Sequence, residues 1–199
     1  MSWSVRTGFA AAVVLGLAVA RCAEAVVVPP SPGQVGFGVQ GEYGTLLKSG
    51  GFGSDFGAGP GLTVRLRYRM RYERGLGLSF ESQRFDVREA APADTAINRL
   101  SIFTAGLEFY QMFGTRTRTS RMVSVGAGLA KATVKLNNDE TTFPTGGDGL
   151  YVSAGLGVER FFWQTWAYDL SGRYMTVFHD GKANHDFQLA LGLIFYSGY

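Results

Sequence analysis

The chain has one cysteine, Cys22, and two histidines, His179 and His185, among 199 residues. A lone cysteine cannot close a disulfide within the chain, and the histidine stretch FHDGKANHD matches no metal-ligand spacing. Charge is scarce as well. Asp, Glu, Lys and Arg make up 18% of the residues and net to +3, too little to argue for a nucleic-acid partner. Long helical patterns are few, and no long apolar run follows residue 25. The longest, LALGLIFY from Leu189 to Tyr196, is far too short for a helix to cross a bilayer.

What is abundant is glycine, at 28 residues, and aromatic side chains, at 14%. With short strand-like segments between turn signals, this is an all-β composition. The first 25 residues stand apart. Arg6 precedes an apolar stretch from Phe9 to Ala20, and Ala23-Glu24-Ala25 forms an A-x-A cleavage site, so residues 1–25 read as a secretory signal peptide. Cleavage after Ala25 removes Cys22, and Arg21 before that cysteine argues against a lipid anchor. VVVPPSPG, residues 26–33, reads as a short Pro-rich tether, and the domain is expected to span 34–199. An exported chain without a spanning helix is either soluble or a transmembrane β-barrel, the other spanning structure that satisfies its backbone.

Eight segments alternate with a period of two: VGFGVQGEY, LTVRLRYRMRYERG, GLGLSFESQ, SIFTAGLEFYQ, MVSVGAGLA, LYVSAGLGVER, WAYDLSGRYM and DFQLALGLIFYSGY. Each is about ten residues long, the length of a tilted strand crossing a bilayer. In each, one face is apolar and the other is Gly, Ser or charge. Eight apolar faces cannot all be buried round one core that also holds the charges. The pattern therefore places the apolar faces in lipid and the polar faces in a lumen: an eight-stranded antiparallel up-and-down transmembrane β-barrel. If the first strand runs outward, the turns at 72–75, 113–121 and 160–165 face the periplasm, and the mostly longer connections at 44–56, 86–98, 135–149 and 179–186 face outside. Aromatic residues near segment ends read as interfacial girdles: Phe161, Phe162, Trp163, Trp166, Phe195 and Tyr199 at one rim, and Tyr43, Phe80, Phe85, Tyr174 and Phe178 at the other.

The closing strand runs to a terminal aromatic with apolar residues at alternate positions. In this and in its eight segments, the chain from Gln34 onward resembles the small eight-stranded outer-membrane barrels of Gram-negative bacteria, the OmpA- and OmpX-like group. The resemblance implies residence in the outer membrane as a monomer, contact with outer-membrane lipid and lipopolysaccharide, and assembly by the barrel-assembly machinery through the C-terminal strand. It implies a structural or surface-interaction role without catalysis.

The second segment carries Arg65, Arg67, Arg69 and Arg71 on one face. An eight-stranded barrel is just wide enough inside for side chains to fill it. Four guanidinium groups there need counter-charges, because an isolated buried charge is prohibitively costly. The other lumen faces supply Glu42, Glu81, Glu108, Glu159 and Asp169, together with Arg173, and many glycines that leave room for long side chains. The expectation is a plugged lumen held by Arg–carboxylate pairs, with an anion pore as the rival. A lipid A-modifying enzyme is the other alternative. Deacylase barrels carry a His-x-Ser pair, which neither histidine here has, and for the palmitoyltransferase type nothing singles out Ser49 or Ser54 as partner. GFGVQG matches a dinucleotide-loop spacing but lies inside a strand, and the acidic loop at 137–149 lacks calcium-loop spacing. No cofactor, metal or catalytic residue is assigned.

Overall fold

The computed structural model describes residues 31–48, 51–88, 97–136, 142–143, 148–179 and 181–197. The leader with Cys22, most of the tether, Ser49, most of the acidic loop and Tyr199 lie outside the described residues. The strands are β1 (Val35–Leu46), β2 (Ala58–Arg71), β3 (Arg74–Asp86), β4 (Ile97–Phe113), β5 (Thr119–Leu136), β6 (Thr142–Phe143), β7 (Asp148–Phe161), β8 (Trp166–His179) and β9 (Lys182–Ser197). All but β6 form one closed, wholly antiparallel barrel. Neighbours in sequence pair throughout, β9 returns to β1, and no edge is left open. The two residues of β6 pair with the outer end of β5, beyond the part that β7 occupies.

Alternation sets the two faces. In β1, Val35, Phe37, Val39 and Tyr43 are exposed while Gly36, Gly38, Gln40 and Glu42 are buried. The same holds round the barrel, where Leu129, Leu150 and Leu156 are 62%, 61% and 67% exposed. A belt of exposed Leu, Val and Phe round the barrel is a surface for lipid, not for water.

Glycine makes room inside. Gly106 and Gly128 stand opposite each other on β4 and β5. A Cβ on either would strike backbone on the neighbouring strand and the ring of Tyr151, which fills the space they leave.

Above the belt the pattern reverses. At the outer end the inward residues are apolar: Leu46, Phe85, Leu100, Ile102, Ala132 and Val134 form one buried cluster. The outward residues there are Arg84, Asp86, Arg99, Ser101, Lys131 and Thr133. This is the polarity of a water-soluble barrel, and the switch marks where the strands leave the membrane. It also accounts for β4 and β5 running to 17 and 18 residues, well beyond the expected ten. Phe85 therefore belongs to this cluster, fully buried, and not to an interfacial girdle.

The first outer connection is not simply exposed. A single 3-10 turn at Gly51–Ser54 brings Phe52 and Phe56 onto the cluster. The turn is tied down by Phe52 N–H donating to Asn184 Oδ1 (2.7 Å), and by Arg88, which donates to the Gly53 carbonyl (3.0 Å) and also to that of Leu46. Phe56 forms a bridge with Val87. An apolar cluster thus caps the lumen charges on this side.

Candidate functional site: the lumen charge network

Strand β2 presents Arg65, Arg67 and Arg69 to the lumen at successive inward positions, with 4%, 1% and 0% of their surface exposed. Their partners come from strands on the far side of the barrel. Arg67 donates to Glu159 Oε2 (2.9 Å) and lies 2.5 Å from Asp169 Oδ2. Arg69 donates to Glu159 Oε1 (2.7 Å). Tyr196 adds a third donor to Glu159, its hydroxyl at 2.5 Å, and Gln40 donates to Asp169 Oδ1 (2.8 Å). The two guanidinium planes lie over aromatic rings, Arg67 above Tyr110 at 4.6 Å and Arg69 beside Tyr196 at 5.1 Å.

A second group sits further toward the outer end. Arg173 donates to Glu108 Oε1 (3.0 Å) and to Gln188 Oε1 (2.8 Å), and also pairs with Glu81. Arg65 Nε lies 3.8 Å from Glu108, and its terminal nitrogen donates to the Ser171 hydroxyl (3.3 Å). Tyr110 donates to Glu108. Gln188 donates in turn to Glu81 (2.6 Å) and Asp186 (2.7 Å), while Thr63 donates to Glu42. The described lumen holds four buried arginines and six buried carboxylates. Glu42 and Asp186 are the two that form no ion pair among the described residues.

Two residues fall elsewhere than their sequence context suggested. Arg71 is exposed, because the β2–β3 register shifts between Arg69 and Arg71 and turns its side chain away from the lumen. Phe161 is 2% exposed and points inward, where it packs with Ala167, Ile194 and Tyr196 in an apolar cluster at the periplasmic end. Phe162, Trp163 and Trp166 are exposed at that rim; Phe162 packs on Tyr168 and Trp166 on half-buried Phe195. Sequence reasoning did not assign Asp186, Gln40, Gln188, Thr63, Tyr110 or Tyr196 to the network. Most of these carry no charge, so nothing but their parity with known lumen residues points to them.

Chemically, the arrangement fills space and neutralises charge. Arg and carboxylate interlock across the lumen, and the gap between Gly38, Gln40, Arg65, Arg67 and Asp169 has no room for a water molecule. The histidines lie outside this network. His179 stacks on Phe52 at the outer cap. His185 Nδ1 lies 2.7 Å from the Tyr174 hydroxyl and 3.1 Å from that of Thr176, a cross-strand clasp between β8 and β9. No group of three or more potential metal-ligating side chains occurs among the described residues.

A closed, antiparallel eight-stranded barrel with an apolar exterior belt and a charged interior is a transmembrane barrel. The chain belongs to the outer membrane protein beta-barrel domain family, whose model matches residues 9–195, and it resides in the bacterial outer membrane. Solved structures of similar fold include Neisserial surface protein A (15% identity, TM-score 0.61, covering 82% of this chain and 98% of that one). The outer membrane protein OprG of Pseudomonas aeruginosa is also similar (12%, TM-score 0.58, 87% and 100%). So is Ail, the attachment invasion locus protein of Yersinia pestis (15%, TM-score 0.56, 83% and 99%). No protein of curated function matches the chain in sequence.

Proposed function

We propose that this protein is a non-conducting, non-enzymatic outer-membrane barrel. The lumen acts as a rigid strut, and the outer connections form the surface that meets lipopolysaccharide or external partners. The observation that carries the reading is the lumen itself: every charged side chain assigned to it is less than a tenth exposed, and buried apolar clusters lie towards both ends. Such a barrel has no route for solute. The N-terminal stretch acts as a cleaved export signal, and the last strand directs assembly of a monomer. The names of two fold neighbours, a surface protein and an attachment invasion locus protein, support a surface role.

The lipid-modifying alternative would have to use the His185–Tyr174–Thr176 cluster, the one exterior grouping of a histidine with hydroxyls among the described residues. Its ring nitrogen is already shared by two hydroxyls, those of Tyr174 and Thr176. The test is mass spectrometry of lipid A from cells expressing the protein and from cells lacking it. Identical acyl patterns are expected. Gain or loss of an acyl chain that depends on His185 would replace this reading with an enzymatic one.

A further inference from the structure

The charge outside the lumen is unevenly placed. The periplasmic rim, comprising residues 71–74, 113–121 and 160–165, carries Arg71, Arg74, Arg116, Arg118, Arg121 and Arg160 against one acid, Glu73. That is a net +5 on a chain whose total is +3. All seven side chains are exposed, and every cation is arginine. Among the described residues, none of Arg71, Arg74, Arg121 and Arg160 forms an ion pair.

Two of these arginines are on the lipid side. Arg121 on β5 and Arg160 on β7 have outward parity, and they are diagonal neighbours because Arg121 pairs with Val158 and Arg160 with Thr119. Arg121 lines a shallow exterior groove of about 600 Å³ together with Val123, Leu156, Val158, Leu170, Gly172 and Leu189 among others, and Arg160 stands one outward position beyond Val158 on β7. The groove exists because Gly172 interrupts the belt. Gly172 lies between Leu156 and Leu189 in one cross-strand row; a second outward glycine, Gly41, lies between Leu62 and Leu191, away from Arg121 and Arg160. Tyr168, which pairs with Arg160, and Trp166 on the same strand place this end at the interfacial level.

We infer that this groove binds an anionic phospholipid of the periplasmic leaflet: the phosphate sits against Arg121 and Arg160, and an acyl chain lies in the notch over Gly172. Guanidinium forks match phosphate oxygens in a way that ammonium groups do not. The arginine stems can lie along apolar surface while their heads reach the phosphate layer. A cell-wall polymer would meet the rim from below and would gain nothing from an apolar groove. The inference stands independently of the proposed role of the outer connections, because it concerns the opposite end of the barrel.

The test uses the tryptophans the chain already has. Of its three, Trp3 leaves with the export signal, and Trp163 and Trp166 stand exposed at this rim, so the mature barrel emits from the rim alone. The barrel is inserted into phosphatidylcholine vesicles containing a minor fraction of either phosphatidylglycerol or phosphatidylcholine with brominated acyl chains. Brominated phosphatidylglycerol should quench more strongly. A relative association constant of several-fold is expected, since one basic residue near a membrane surface is worth on the order of fivefold. The preference should weaken with added salt and fall to near one in Arg121→Gln/Arg160→Gln.

Gly172→Leu fills the notch without touching charge. The nearest atom to a Cβ there is Leu189 Cδ2 at 3.5 Å, so the fold tolerates it, and quenching by the anionic lipid should drop. Equal quenching by both lipids, or a preference untouched by all three substitutions, overturns the inference. It is equally overturned if the arginine variant abolishes sedimentation with cell-wall sacculi while lipid preference is absent, which would assign the rim to the cell wall.

Discussion

Three donors converge on Glu159, from Arg67, Arg69 and Tyr196, and this makes Glu159→Ala the sharpest perturbation of the lumen. After the substitution Arg67 keeps Asp169, but Arg69 loses the carboxylate it is bonded to, and its guanidinium is fully buried. Removing one partner of a buried ion pair costs about 3–5 kcal/mol, because the remaining charge stays desolvated without compensation. The orphaned Tyr196 hydroxyl adds a further cost of about 1 kcal/mol. The expected loss is therefore about 4 kcal/mol in urea unfolding of the vesicle-inserted barrel, followed by the fluorescence of Trp163 and Trp166. Adding Arg69→Met removes the stranded cation and replaces it with an apolar chain of similar reach. The double variant should recover to within about 2 kcal/mol of the starting protein. A single-variant loss below about 1 kcal/mol would refute the reasoning, as would a double variant no more stable than the single, since either would mean that water already solvates these groups.

Two further predictions concern packing and exterior. Gly128→Ala forces a methyl group against the Ala105 carbonyl and the Tyr151 ring, and should cost about 1–3 kcal/mol in the same unfolding assay, whereas Gly172→Ala meets only ordinary contacts and should be close to neutral. Val125, exposed in the middle of the lipid-facing run of β5, should lose about 2–4 kcal/mol as Val125→Arg, while the same change at Thr133, above the belt, should cost far less.

Much of this architecture is legible in the chain itself because the strand period is two and one face meets lipid. Once Arg65 is inside, so are Arg67 and Arg69, and the same parity places Glu42, Glu81, Glu108, Glu159 and Asp169 opposite them. Parity read more strictly would also have placed Phe85 and Phe161 inside, since each continues an inward series that ends in Gln83 or Glu159. Their aromatic character at strand ends pointed instead to a membrane girdle. Arg71 departs for the opposite reason: a register shift next to a tight turn breaks the parity there, and no residue type signals it. The outer cap is harder to see. Leu100, Ile102, Ala132 and Val134 are apolar and inward where the lumen is otherwise polar, so they reverse the rule that identifies the lower strands. Which carboxylate each arginine takes was also hidden, because the partners lie about 40 to 100 residues away in the chain and are brought together by closure of the barrel.

The closed lumen is the centre of the account, and ionic current through it is the most direct measurement. With the purified protein in a planar bilayer under an applied potential, the network and its two apolar clusters predict a flat baseline with no unitary steps. Discrete, ohmic steps favouring anions would contradict it: the arginines would then line a pore, and the carboxylates would not be holding them.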